Sequence, residues 1–380
     1  MKIKTVVAVA ALTGLAASGF AADAGTIKIG ALFSVSGGAS FLGAPEQRTA
    51  EMLVEQLNAK GGIGGKRIVL IVKDTGGSPE KAISFAKQLI EEEKVFAIIG
   101  PSTSGETMAI KNIAEENKTI LLSCAAAEVI VNPLAKYVFK VAPRDSYAAE
   151  KIYHQMKKMG ITKIGVLSSN TGFGKAGKEQ LEKYAPDHGI TIALSEVYDK
   201  SATDLTAEVT KLKAANVQAI VNWSIEPAQA IVIKNARQIG LTVPIFQSHG
   251  FANIQYARAA GVAAEGVIFP ASRIVVADLL PDKHPQKAVV LSYKNAYESK
   301  FKEDVSTFGG HGYDALMILT KAIQTAGTDR EKVRSAIENL KGFVGTAGIF
   351  NLSPTDHNGL DIDAFAMLTV KNGKFALLEK

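Results

Sequence analysis

Two hydrophobic patterns alternate along this chain. Short apolar runs without polar alternation are followed by longer stretches whose apolar residues recur three and four apart. The first pattern suits strands buried on both faces of a parallel sheet, the second suits helices packed on such a sheet. Ile27–Phe33 and Arg67–Lys73 predict strands, with a helix over Pro45–Lys60 between them that stops at Gly61-Gly62. A second helix is predicted over Pro79–Glu93, proline in its first turn. Val95–Ile99 is the third strand, and Ser102-Thr103-Ser104-Gly105 then leads into a helix over Glu106–Glu116 with Ser104 as its N-cap. Thr119–Ser123 and Tyr137–Val141 are further strands, followed by Pro143-Arg144-Asp145 and a helix to about Met159.

A second series begins there. Lys163–Leu167, Thr191–Val197, Val217–Val221 and Pro244–Gln247 predict strands, and 175–186, 204–214 and 226–239 predict helices. The last third is less regular: helices over 286–302, 312–326 and 329–340, then strands at Ala364–Val370 and Lys374–Leu378. Two βα series predict an α/β chain of two Rossmann-like lobes with parallel sheets and ligands at the carboxyl ends of the strands. The last third has too few strands for a third sheet, so it is expected to thread back through both lobes. Three hinge crossings are expected, near Ala142–Asp145, Pro270–Arg273 and Gly345–Phe350. That division places 26–143 with 273–347 in one lobe and 144–272 with 348–380 in the other.

Met1–Ala21 carries Lys2 and Lys4, an apolar run from Val6 to Ala17, and then Ser18-Gly19-Phe20-Ala21. This is the layout of a cleaved secretory signal peptide, so the mature chain is expected outside the cytoplasm, in the periplasm. No cysteine stands at the cleavage site, so no lipid anchor is expected. The formal net charge of +6 is modest for 380 residues, and no basic stripe with interleaved aromatics points to nucleic acid. Cys124 is the single cysteine, which excludes an internal disulfide.

Catalytic signals are weak. Gly172-Phe173-Gly174-Lys175-Ala176-Gly177 matches G-x-G-x-x-G. With the strand ending at Leu167, however, a loop of several residues separates it from the glycines, where a dinucleotide site needs a tight turn; the stretch is read as a helix entry that carries Phe173 into a cleft. Gly61–Lys66 lacks the Ser/Thr and the following helix of a phosphate loop, and is read as a turn. The six histidines have no metal-ligand spacing, though His249 and His311 each lie in a strand-to-helix connection. Neither an enzyme site, a metal nor a cofactor is expected.

The stretches Ile27-Lys28-Ile29-Gly30 with Ser36-Gly37-Gly38, Asn58–Lys66 (NAKGGIGGK), Ile99–Ser104, Phe173-Gly174, Gly250–Asn253, and Phe308 with Tyr313–Leu316 occur in an order that resembles the branched-chain amino acid (Leu/Ile/Val-type) binding proteins of ABC importers. The resemblance runs from about Thr26 to the C-terminus and implies a type I periplasmic-binding fold. It also implies a small carboxylate ligand, a membrane permease as partner and a monomeric carrier. A ligand sensor for a membrane receptor would use the same fold and is the alternative. The residues implied in ligand binding are Leu42, Ser102, Thr103, Ser104, Cys124, Ala125, Ala127, Phe173, Trp223, Ile225, His249 and Phe308. Ser104 would hold the ligand carboxylate together with the turn Ser123–Ala127, where Ala127 replaces the family's Thr or Ser. The lone Trp223 reads equally as pocket wall or core.

His249 is the main departure, because the resemblance implies an acid there to pair with an α-ammonium. An unpaired buried ammonium is costly. Glu226 is either a displaced counter-charge or, more simply, the first-turn acid of a helix. Two ligand classes therefore stay open: a hydrophobic L-amino acid, or an aromatic or aliphatic acid without an α-amino group.

Overall fold

The computed structural model describes residues 25–378. The expected signal peptide lies outside them. The chain runs β1 (Thr26–Phe33), α1 (Ser40–Ala59), β2 (Arg67–Asp74), α2 (Pro79–Lys87), β3 (Ala97–Ile99), α3 (Ser104–Glu116), β4 (Ile120–Ser123) and β5 (Val138–Lys140). The five strands form one parallel sheet in the order β2-β1-β3-β4-β5. Every residue of β3, β4 and β5 is buried, including Ser123 and Lys140 at the ends of β4 and β5, and the rest of these runs is apolar without alternation.

The second series is α4 (Asp145–Lys158), β6 (Lys163–Ser169), α5 (Gly172–Tyr184), β7 (Thr191–Tyr198), α6 (Thr206–Ala214), β8 (Ala219–Trp223), α7 (Ala228–Gln238), β9 (Ile245–Gln247), α8 (Ile254–Ala260) and β10 (Ile268–Ala271). Three helices return to the first lobe: α9 (Lys287–Phe301), α10 (Thr307–Ala326) and α11 (Arg330–Glu338). A short hairpin, β11 (Phe343–Val344) and β12 (Ile349–Phe350), precedes β13 (Ala366–Lys371) and β14 (Lys374–Leu377). The second sheet has the order β14-β13-β10-β9-β8-β6-β7, with β13 and β14 antiparallel at one edge. The two-lobed α/β architecture is the one expected.

Near the first two expected crossings the buried side chains pass from one core cluster to another. Val141 packs in the first core and Ala142 in the second; Ala271 packs in the second, and Ile274 against α9. At the third they do not. Phe350, Leu352, Leu360 and Ala364 all pack in the first core, and Phe365 is the first residue back in the second. The expected crossing at Gly345–Phe350 is therefore displaced to 364–365, and residues 348–364 pack with the first lobe. A two-residue strand carries too little periodicity to reveal which sheet it serves.

Helix starts moved more than strands. α1 begins at Ser40, so Pro45 lies inside it. A proline there cannot bond the carbonyl four residues back. That carbonyl, Phe41, accepts instead from Asn253 Nδ2 of the other lobe at 3.0 Å. The true N-cap of α3 is Thr103, whose hydroxyl accepts from the Glu106 N–H while the Glu106 carboxylate accepts from the Thr103 N–H, a capping box. Ser104 is the first helical residue and not the cap.

β6 extends to Ser169, leaving only Asn170-Thr171 before α5, so the long loop expected before the glycines does not exist. Their packing explains them instead. A Cβ at Gly172 would come 2.9 Å from Gly105 across the cleft, one at Gly174 2.0 Å from the Ser169 carbonyl, and one at Gly177 2.0 Å from the Trp223 ring. These are close approaches of backbone to backbone and to an indole.

Candidate functional site

The carboxyl ends of β3, β4, β8 and β9 meet between the lobes. There Leu42, Ser102, Ser104, Cys124, Ala125, Phe173, Ile225, His249 and Phe308, all expected, line one small cavity. Ala126, Ala142, Gly250 and His311 line it too, and were not expected. The cavity is about 20 Å³, room for one water molecule or so. A solute can therefore enter only when the lobes part, and the Asn253–Phe41 bond and the Gly105–Gly172 contact are interlobe contacts that must then separate. Thr103, Ala127 and Trp223 stand outside the lining.

The first-lobe wall is a web of hydroxyls. Ser102 donates its hydroxyl to Glu46, and its oxygen accepts from the Ser34 N–H at 3.0 Å. Thr103 and Ser34 both donate to Glu106 Oε2, at 2.6 and 2.8 Å. The Ala125 N–H is held by Ser123 Oγ at 3.1 Å and the Ala127 N–H by Ser104 Oγ at 3.2 Å, so neither amide is free for a ligand. Ser104 accepts there, and its own proton stays available to donate into the cavity. Burial raises the carboxyl of Glu46 well above its usual range, and raises the Cys124 thiol likewise, which keeps that thiol from acting as a thiolate.

The second-lobe wall is aromatic. His249 follows β9 in a one-turn helix capped by Ser248, and its ring centroid lies 5.2 Å from Phe173, 5.7 Å from Trp223 and 5.2 Å from Phe365. Trp223 is the last residue of β8, wholly buried behind Phe173 and His249 and against Gly177: it supports the wall and does not face the cavity. α10 starts at Thr307, earlier than predicted, and the three-residue spacing puts Phe308 and His311 together on the face that meets the cavity. Neither ring nitrogen of His249 has a hydrogen-bond partner, while His311 lies against the Cys124 backbone. Burial, with the positive charge of Lys140 second, pushes both imidazoles down, His311 to about 3. Both are neutral at physiological pH.

Behind His249 lies what sequence reasoning missed. Asp145, in the first turn of α4, is completely buried, with Oδ1 3.4 Å from His249 Nε2. Lys140, also buried, donates to the carbonyls of Ala126, Ala142 and Pro143 at 2.7, 3.0 and 3.2 Å. Burial raises the Asp145 carboxyl and lowers the Lys140 ammonium. The only sequence signal was position, since both residues flank the first hinge crossing. Glu226 resolves against both of its expected roles. It precedes α7 instead of lying in its first turn, and it lines the cleft mouth with Gly38, Gly77 and Lys200, not the inner cavity. Burial raises its pKa to about 7.

Among the described residues, no helix is long and apolar enough to cross a membrane. The family model for the periplasmic binding proteins matches residues 26–374. A leucine-, isoleucine-, valine-, threonine- and alanine-binding protein of Pseudomonas aeruginosa is 26% identical over 342 residues, 88% of either chain. The crystal structure of an extracellular ligand-binding receptor from Rhodopseudomonas palustris HaA2 superposes with a TM-score of 0.88 at 30% identity, covering 93% of this chain and 99% of that one. A branched-chain amino acid transporter substrate-binding protein of Streptococcus pneumoniae, in complex with isoleucine, gives 0.82 at 26% identity over 92% and 97%. The chain belongs to the periplasmic binding protein family, as a non-enzymatic solute-binding protein.

Proposed function

We propose that this chain is the periplasmic solute-binding component of an ABC importer, exported by a signal peptide at residues 1–21, and that its solute is a small hydrophobic carboxylate without an α-ammonium group. The observation that carries the ligand class is the lining of the inner cavity. No carboxylate belongs to it, and where an ammonium would need its counter-charge stands a neutral imidazole on which, after burial, the positive charge of Lys140 acts most. A buried ammonium there would lack direct compensation, whereas a carboxylate can take the Ser104 hydroxyl proton and an imidazole N–H. Phe173, Phe308, Leu42 and Ile225 supply the apolar enclosure for an aromatic or branched aliphatic body. Closure of the lobes buries the solute and forms the surface that a permease reads.

A hydrophobic L-amino acid is the second reading, favoured by the relatives named for leucine, isoleucine and valine. Thermal unfolding of the refolded, ligand-stripped protein decides between them. One panel holds benzoate, phenylacetate, cinnamate and 4-methyl-2-oxopentanoate; the other holds leucine, isoleucine, valine and phenylalanine. A ligand at 100 times its Kd adds about 2.7 kcal/mol, a midpoint shift of a few degrees. The acids are expected to give the shift, and a shift with the amino acids alone would overturn the ligand class.

A further inference from the structure

We infer that Asp145 is a positioning residue for recognition: it donates its carboxyl proton to His249 Nε2 and thereby makes Nδ1–H the face that His249 turns to the solute. The inference rests on the proposed reading only in taking the inner cavity as the solute site.

The argument is a count of donors. Both Asp145 oxygens are buried and without a hydrogen-bond partner. The three protons of the neighbouring Lys140 ammonium are already placed on the carbonyls of Ala126, Ala142 and Pro143. Arg144, the next residue, spends its terminal nitrogens on Glu128 and Asp356 at 2.6 Å each, and its Nε, which has no partner, makes no bond to Asp145. The N-terminus of α4 provides no side-chain cap, and no amide there donates to Asp145. An ionised carboxylate with nothing donating to it is the costliest form such a group can take in an interior. The favourable field of a helix N-terminus is too weak to offset that.

The neutral acid has one proton to give, and His249 Nε2, 3.4 Å from Oδ1, is the acceptor on hand. The distance is long for a hydrogen bond, yet neither group has another partner. Proton transfer to give an ion pair would place an imidazolium beside Lys140 and His311 among three aromatic rings, where burial and charge both oppose it. Once Nε2 is an acceptor, the neutral ring must carry its proton on Nδ1. His249 then offers a donor to the solute, which suits a carboxylate or oxo oxygen and excludes an ammonium.

The tautomer can be read without knowing the ligand. In protein labelled with 15N-histidine, two-bond 1H–15N correlations distinguish Nδ1–H from Nε2–H, and H249Q assigns the signal. We expect His249 as the Nδ1–H tautomer in the wild type and in D145N, whose amide N–H can donate to Nε2. In D145A we expect Nε2–H, with phenylacetate affinity at least 10-fold weaker while His311 keeps its signal. An Nε2–H tautomer or an imidazolium in the wild type would overturn the inference, as would Nδ1–H that persists unchanged in D145A. Failure of every acid to bind would count against the ligand class and leave the tautomer result standing on its own.

Discussion

Two turns face each other across the cleft and treat their polar atoms in opposite ways. The β3–α3 turn of the first lobe spends its groups internally: Ser102 on Glu46 and Ser34, Thr103 on Glu106, Ser104 on the Ala127 amide. The turn after β9 sets His249 inside a shell of three aromatic rings, with Asp145 3.4 Å from Nε2 and no partner for Nδ1. The first-lobe bonds fix the hydroxyls in place with or without a solute, although Glu46 Oε1 and Glu106 Oε1 behind them have no partner of their own. An unsatisfied, desolvated ring is held at a cost that a matching solute relieves, and a mismatched one does not. The first wall therefore supplies a prebuilt seat, and the second wall decides which solute is accepted. His311, on the first-lobe helix α10, is the exception to this division and belongs functionally with His249.

Substitution on the discriminating wall should break this contrast most. His249→Glu restores the acid that the family resemblance implies. It should weaken carboxylates without an α-amino group by more than about 100-fold, because like charges in a dry site cost several kcal/mol, and it should create measurable leucine binding. Titration calorimetry on both solutes checks the exchange, and unchanged preference would refute the assignment of selectivity to this wall.

The seat should respond less. Ser104→Ala removes one charge-assisted hydrogen bond, about 1.5–3 kcal/mol, or roughly 10- to 100-fold in Kd. Ser102→Ala should act on stability instead, since its hydroxyl already serves Glu46 and Ser34. A lower unfolding midpoint with near-wild-type affinity is the expected result; a large affinity loss would mean that Ser102 reorients toward the solute.

The smallest effect on binding is expected at Trp223. Trp223→Phe thins the layer behind His249 and Phe173 without touching the cavity. We expect about 1–2 kcal/mol of lost stability from the space left against Gly177, and a change in affinity below about threefold. An affinity loss as large as that of Ser104→Ala would make the indole a direct wall.

Much of this was legible because helix and strand periods, and runs such as Ile99–Ser104, are local properties of the chain. The strand-turn-helix units of both lobes followed from them, while the nine of thirteen cavity-lining residues named in advance were implied by the family resemblance. Boundaries that depend on a partner element did not. α1 starts before Pro45 because Asn253, two hundred residues on, takes up the carbonyl that proline leaves free. The run 349–364 joins the first lobe because Phe350 and Leu360 find their apolar partners there. The glycines of 172–177 imitate a dinucleotide fingerprint, and only the proximity of Gly105, Ser169 and Trp223 shows what they accommodate.

The alternation of apolar periods by itself determined the fold class, the two lobes and the strand ends where a solute would sit, since burial of each face is encoded residue by residue. The charge state and hydrogen-bonding face of the site were decided by tertiary structure alone. Asp145 and Lys140 carry no motif, and their protons are governed by how many donors and acceptors the fold brings within reach after water has been removed.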